Sequence, residues 1–169
     1  MIGLVLTSNG PRVRRDLPEP KEGPEALLRL ELAGICATDL ELINGYMGFE
    51  GVLGHEGDGR VEEHPDSSWI GQRVVGEINC PCGQCADCRA GRRRHCPHRT
   101  VLGIKGRDGA FSERFRLPAE NLHRVPETVS DDAAVFVEPL AAACEIVQHF
   151  NGSTSLGLRC LRGSLHGSG

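Results

Sequence analysis

Apolar positions along this chain recur mostly at a spacing of two. Ile2, Leu4 and Leu6 keep that spacing and predict a strand over residues 1–8, closed by a turn at Asn9-Gly10-Pro11. Leu28, Leu30 and Leu32 alternate with Arg29 and Glu31, the pattern of a half-buried strand. Further strands are predicted at 57–63 and 73–78, around Phe111, Phe115 and Leu117, and over 121–125 before Pro126. The stretch after Cys36, TDLELINGY, predicts a helical turn ended by Asn44-Gly45. The pattern changes at Ser130, a good N-cap followed by Asp131 and Asp132, and predicts two helical segments broken near Pro139. From Asn151 the chain is rich in Gly, Ser and Leu and is expected to be a linker-like tail or a join. The fold class expected is mainly β with a few helices, its antiparallel strands closed into an irregular barrel.

The 169 residues suffice for one domain with a real core, and aromatics at 4% leave the filling to aliphatic side chains. The 22 glycines and 10 prolines suit many short strands better than a helical bundle. A net charge of −4 argues against a general nucleic-acid binder, so Arg92-Arg93-Arg94 with Arg89 and Arg99 reads as a solvated surface. No apolar run reaches the length of a membrane span. The N-terminus has no basic stretch ahead of its apolar residues, so it does not read as a signal peptide, and a cytoplasmic location is expected.

Eight cysteines change the picture most. Cys82, Cys85, Cys88 and Cys96 follow a C-x2-C-x2-C-x7-C spacing, which suits a closed, structural zinc held by four thiolates in a lobe over residues 80–99. Two or more disulfides are the competing reading, disfavoured by the metal-like spacing and the lack of a secretion signal. Cys80 lies outside the spacing but could replace Cys82, and His95 and His98 are alternative ligands. A second zinc is suggested by Cys36 and His55-Glu56, since a thiolate, an imidazole and a carboxylate leave a coordination position open for substrate.

Gly34-Ile35-Cys36-Ala37-Thr38-Asp39, then Gly54-His55-Glu56 with Gly59, Gly71-Gln72-Arg73-Val74, the four-cysteine lobe and Val137-Glu138-Pro139-Leu140 occur in one order. Over about residues 1–150 this resembles the zinc-containing medium-chain dehydrogenase/reductase family, which includes alcohol, polyol, glucose and threonine dehydrogenases. The resemblance implies a GroES-like β-barrel over residues 1–150 and two zinc ions per chain. It implies Cys36 and His55 as catalytic-zinc ligands, with Glu56 as a further ligand or neighbouring carboxylate. Glu138 matches a position where some members place a glutamate at the metal, and here the branch looks closer to the polyol, glucose and threonine enzymes. Thr38 matches the hydroxyl that passes the substrate proton outward, and Asp39 the carboxylate that orients the zinc histidine. The implied function is an alcohol- or polyol-type, NAD(P)-dependent dehydrogenase acting on a small-molecule alcohol or carbonyl, with no nucleic-acid or membrane partner and self-association left open.

Two positions depart from the family pattern. Glu41 stands where many members carry a relay histidine, and Pro65 where a glycine is usual. The family continues into a Rossmann domain, yet no G-x-G-x-x-G and no acidic residue follow Glu145. The NAD(P) site is therefore expected to be absent from these residues, and the chain alone is expected to be inactive in hydride transfer. A zinc-binding interaction module and a cofactor-free zinc hydrolase or lyase remain competing readings.

Overall fold

Short alternating stretches become strands throughout the computed structural model, which describes residues 1–150, with side chains described as far as Cys144. The expected tail at 151–169 lies outside the described residues. In chain order the elements are β1 (Gly3–Thr7), β2 (Gly10–Arg14), β3 (Ala26–Gly34), α1 (Ala37–Ile43), β4 (Gly51–Val52), β5 (Glu56–Glu63) and β6 (Arg73–Gly76). They continue as β7 (Asn79–Cys80), α2 (Ala86–Arg89), β8 (Thr100–Val101), β9 (Arg114–Leu117), β10 (Leu122–Arg124), α3 (Asp131–Ala134) and α4 (Val137–Phe150). Residues Met1–Glu138 form one compact unit, and a second begins at Pro139.

Antiparallel pairing gives a five-stranded sheet in the order β10-β6-β5-β3-β9 and a three-stranded sheet in the order β2-β1-β4. The two meet where β1 runs beside the residues leading into β9, through a bridge between Gly3 and Ser112 and a 2.8 Å bond from the Leu4 amide to the Phe111 carbonyl. The result is the mainly β architecture that the sequence led us to expect, its antiparallel strands arranged in two joined sheets.

The main core lies inside the larger sheet and includes Leu28, Val61, Val74, Phe115, Leu117 and Leu122, all at most 5% exposed. β9 keeps its alternation, with Phe115 and Leu117 inward and Arg114 and Arg116 paired outside with Glu62 and Glu63. β3 keeps it only in part. Ala26, Leu27 and Leu28 are all buried while Leu30 and Leu32 are half-buried, because its pairing with β5 shifts register between Leu27 and Leu28 and again between Leu30 and Leu32. A second core of Leu6, Leu42, Phe49 and Leu53 sits under the smaller sheet and anchors α1 through Leu42.

Arg73 and Asp58 form a buried ion pair inside the large sheet. The Arg73 Nε lies 3.0 and 3.3 Å from the two Asp58 oxygens and 3.3 Å from Oδ1 of Asp131, so the acid that opens α3 also reaches the sheet. Ser130 caps α3 as expected, accepting from the Ala133 amide. The break between the two helices is not at Pro139. It falls at Val135 and Phe136, and Pro139 sits in the first turn of α4, where its missing N–H leaves no intrahelical bond unmade.

The cysteine-rich lobe leaves the barrel on β7 and returns on β8, which pair over two residues each. The buried Asn121 side chain donates to the carbonyls of Glu77 and Asn79 and so fixes the lobe's entry strand. On the lobe's exposed face Arg92 pairs with Asp87 and Arg93 with Glu120, as expected for a solvated surface. Among the described residues no helix is long and apolar enough to cross a membrane.

Candidate metal centres

Among the described residues, two groups of side chains place their donor atoms within 4.8 Å of one another: Cys82, Cys85, Cys88 and Cys96, and Cys36, His55 and Glu56. These are the two ligand sets read from the sequence, less Glu138.

In the lobe, Cys96 is fully buried and its Sγ lies 3.6 Å from that of Cys82 and 3.8 Å from that of Cys85. Zinc–thiolate bonds of about 2.3 Å in a tetrahedron put sulfurs about 3.8 Å apart, so the spacing fits the ion. It does not fit disulfides, and none of these four cysteines is bridged. Backbone N–H groups of Gln84 and Cys85 pull the Cys82 thiol down to about 6. Burial and the neighbouring sulfurs of Cys85 and Cys96 push Cys88 up to about 12. The four sulfurs would all ionise only with a cation among them. Cys80 is not a contender: it packs in the main core, 4% exposed, and burial pushes its thiol up to about 11. His95 and His98 are exposed and belong to neither group.

In the barrel, the three donors come from two stretches of chain, Cys36 from one and the adjacent His55 and Glu56 from the other. Cys36 is the extended N-cap residue of α1, at φ −89° and ψ 158°. Asp39 completes that cap by accepting the Cys36 amide at 2.9 Å, and its other oxygen lies 3.4 Å from Nδ1 of His55. Both Asp39 and His55 are at most 3% exposed, and this pair of atoms has no closer partner among the described residues. Glu56 opens β5 opposite Gly34, the last residue of β3. A Cβ on residue 34 would stand 2.6 Å from Glu56 Oε2, so the carboxylate keeps its place only over a glycine. Thr38 Oγ1 lies 3.6 Å from Cys36 Sγ. Bonds of about 2.0–2.3 Å to one zinc would draw the three donors together by a distance that side-chain rotation covers.

Glu138 starts α4 half-buried, outside that group. Burial pushes its carboxyl up, His55 opposes the shift, and the charges of Glu56 and Glu77 add to it, so it lies within electrostatic reach of the ligands. Glu77 was not singled out by motif. The exposed Glu41 is on the outer face of α1.

Burial alone would lower the His55 pKa, but the facing Asp39 and Cys36 outweigh it and push it up from 6.5 to about 9. A raised folded value means that this proton stabilises the metal-free fold fully below about 6.5, and that the contribution fades as pH rises through about 9. Zinc takes the neutral ring, so metal uptake here should release the His55 proton and tighten as pH rises across that window. Calorimetry of zinc uptake in buffers of different ionisation heats reads the released protons. An uptake independent of pH over this range would contradict the placement of His55 at the metal.

The chain matches the alcohol dehydrogenase GroES-like domain family over residues 21–127. It is 36% identical over 143 residues to the starvation-sensing protein RspB of Escherichia coli K12, covering 81% of this chain and 42% of that protein. It is 34% identical over 149 residues to the L-threonine 3-dehydrogenase of Anaeromyxobacter dehalogenans, covering 82% of this chain and 43% of the enzyme. Its fold superposes with a TM-score of 0.78 on a short chain alcohol dehydrogenase (RspB) from E. coli CFT073 complexed with NADH, at 32% identity over 88% of this chain and 45% of the other. The chain thus spans less than half the length of the relatives it matches.

Proposed function

We propose, from the premise that the chain belongs to the alcohol dehydrogenase GroES-like domain family, that its barrel holds the catalytic zinc of a dehydrogenase acting on a small alcohol or carbonyl, and its lobe a second, structural zinc. The observation that carries this reading is the convergence of Cys36, His55 and Glu56 beside the Thr38 hydroxyl, with Asp39 behind the histidine. A zinc ion there would supply Lewis acidity toward the substrate oxygen.

The chain's own residues supply the rest. Asp39 faces Nδ1 of His55 and so leaves Nε2 for the metal, holding the ring's tautomer and direction. Thr38 puts a half-buried hydroxyl next to Cys36, where it can take up the substrate proton and pass it outward. Glu56 or Glu138 completes the set. The carboxyl of Glu138, pushed up by its surroundings, is suited to approach as the cation neutralises its neighbours. Hydride transfer to a nicotinamide is the reaction class that the dehydrogenase relatives suggest, and the substrate belongs to the alcohol, polyol and threonine group.

An open position separates this site from a closed structural one. Cobalt-loaded protein should change its visible spectrum when imidazole is added, through the barrel site, while the thiolate bands of the lobe stay fixed. Cys36→Ser should abolish the imidazole response and keep the lobe bands. A wild-type spectrum indifferent to imidazole would favour a zinc-stabilised interaction module.

A further inference from the structure

Cys36 and Glu56 sit on the ends of regular elements, but His55 does not. It follows Leu53 and Gly54 in the short passage between β4 and β5, and Gly54 is in the left-handed region at φ 96°. A distant segment holds this passage. The amides of Gly109, Ala110 and Phe111 donate to the carbonyls of Val52, Gly54 and Leu53 at 2.7, 2.8 and 2.8 Å, and the Val52 amide donates to the Asp108 carboxylate.

The approach is closer than side chains allow. A Cβ on Gly109 would stand 2.4 Å from the carbonyl oxygens of both Leu53 and Gly54, and one on Gly103 would stand 2.3 Å from the Gly54 oxygen. From the other direction, the Phe111 ring fills the place of a Cβ on Gly54, at 2.4 Å. The peptide that precedes His55 is thus clamped backbone to backbone, with nothing flexible in the contact.

We propose that Gly103 and Gly109 are positioning residues for the metal site: their lack of side chains lets the 103–111 segment close on Gly54 and set where His55 meets Cys36 and Glu56. This rests on the reading of that trio as a metal site. An added methyl cannot turn away from a backbone oxygen, so it must push the His55 peptide, while the lobe's four sulfurs lie on other chain segments and are unaffected.

The test titrates cobalt into the metal-free full chain and follows the barrel and lobe bands separately. Gly109→Ala adds bulk at a residue without positive φ, so it isolates the steric effect. Gly106→Ala is its counterpart, with φ 62° and no neighbour closer than Thr100 Cγ2 at 3.5 Å, so it carries backbone strain without the clash. Gly109→Ala should weaken the barrel site by roughly tenfold to a hundredfold, the range for losing a group that orients a metal ligand, with the lobe site unchanged. Gly106→Ala should leave the ratio of the two affinities as in wild type. Equal affinities in Gly109→Ala and wild type, or equal losses at both sites, would overturn the proposal. Should Gly109→Ala not fold, Phe111→Ala decides: a selective loss at the barrel site supports the clamp, and an unchanged ratio overturns it. Wild-type protein that fills only the lobe would remove the barrel metal reading itself, and with it this proposal.

Discussion

Cys88→Ser is expected to empty the lobe of its metal and release residues 80–99 from their fold while the barrel survives. Little besides the proposed metal would hold that stretch. Its α2 has four residues with none buried, and its base is two strands of two residues each. Of the four sulfurs only Cys96 is buried. Structural zinc in small cysteine-rich units contributes on the order of 10 kcal/mol to their folding, which no surface ion pair here can replace. The barrel core, by contrast, draws on Leu28, Val61, Val74 and Leu117 from four separate strands and includes no lobe ligand. Limited proteolysis should cut Cys88→Ser within 80–99 and leave the remainder protected. Uniform digestion of the whole chain would show that the lobe metal is needed for the barrel too.

Asp58→Ala should cost the barrel about 3–5 kcal/mol, the usual consequence of stranding one partner of a buried ion pair. Asp58 is fully buried and Arg73 5% exposed, with the Arg73 Nη2 already lacking a partner. Burial pushes the Asp58 carboxyl up although Arg73 draws it down, so the pair is held against a desolvation penalty. Asp131 is 3.3 Å from the same guanidinium and can absorb part of the loss, but it sits at the more exposed side. The same pair joins the sheet to α3, two residues before α4 begins with Val137 and Glu138. Urea unfolding of the metal-loaded variant gives the stability change. A shift below about 1 kcal/mol would mean that water or Asp131 satisfies Arg73 without Asp58.

What the sequence made legible was local. Cys82 to Cys96 carry their geometry in their spacing, and β9 carries its alternation in four residues. The register shifts in β3 blurred its alternation, because a bulge moves side chains between faces without changing composition. β4, β7 and β8 went unrecognised, since two residues cannot display a period, and β2 was hidden by the turn signal at Gly10-Pro11. Pro139 misled because a proline breaks a helix only beyond its first turn. The Asp58–Arg73–Asp131 contact and the clamp on Gly54 join residues far apart in the chain and leave no short motif. Cys36, His55 and Glu56 were singled out through their local motifs, and the structure groups those three without Glu138.

Zinc per chain in carefully reduced, fully loaded protein tests the central claim most directly. The account predicts two in wild type, one in Cys88→Ser and one in His55→Ala, with the lost ion coming from the lobe in the first variant and from the barrel in the second. One zinc in wild type, unchanged by His55→Ala, would contradict it.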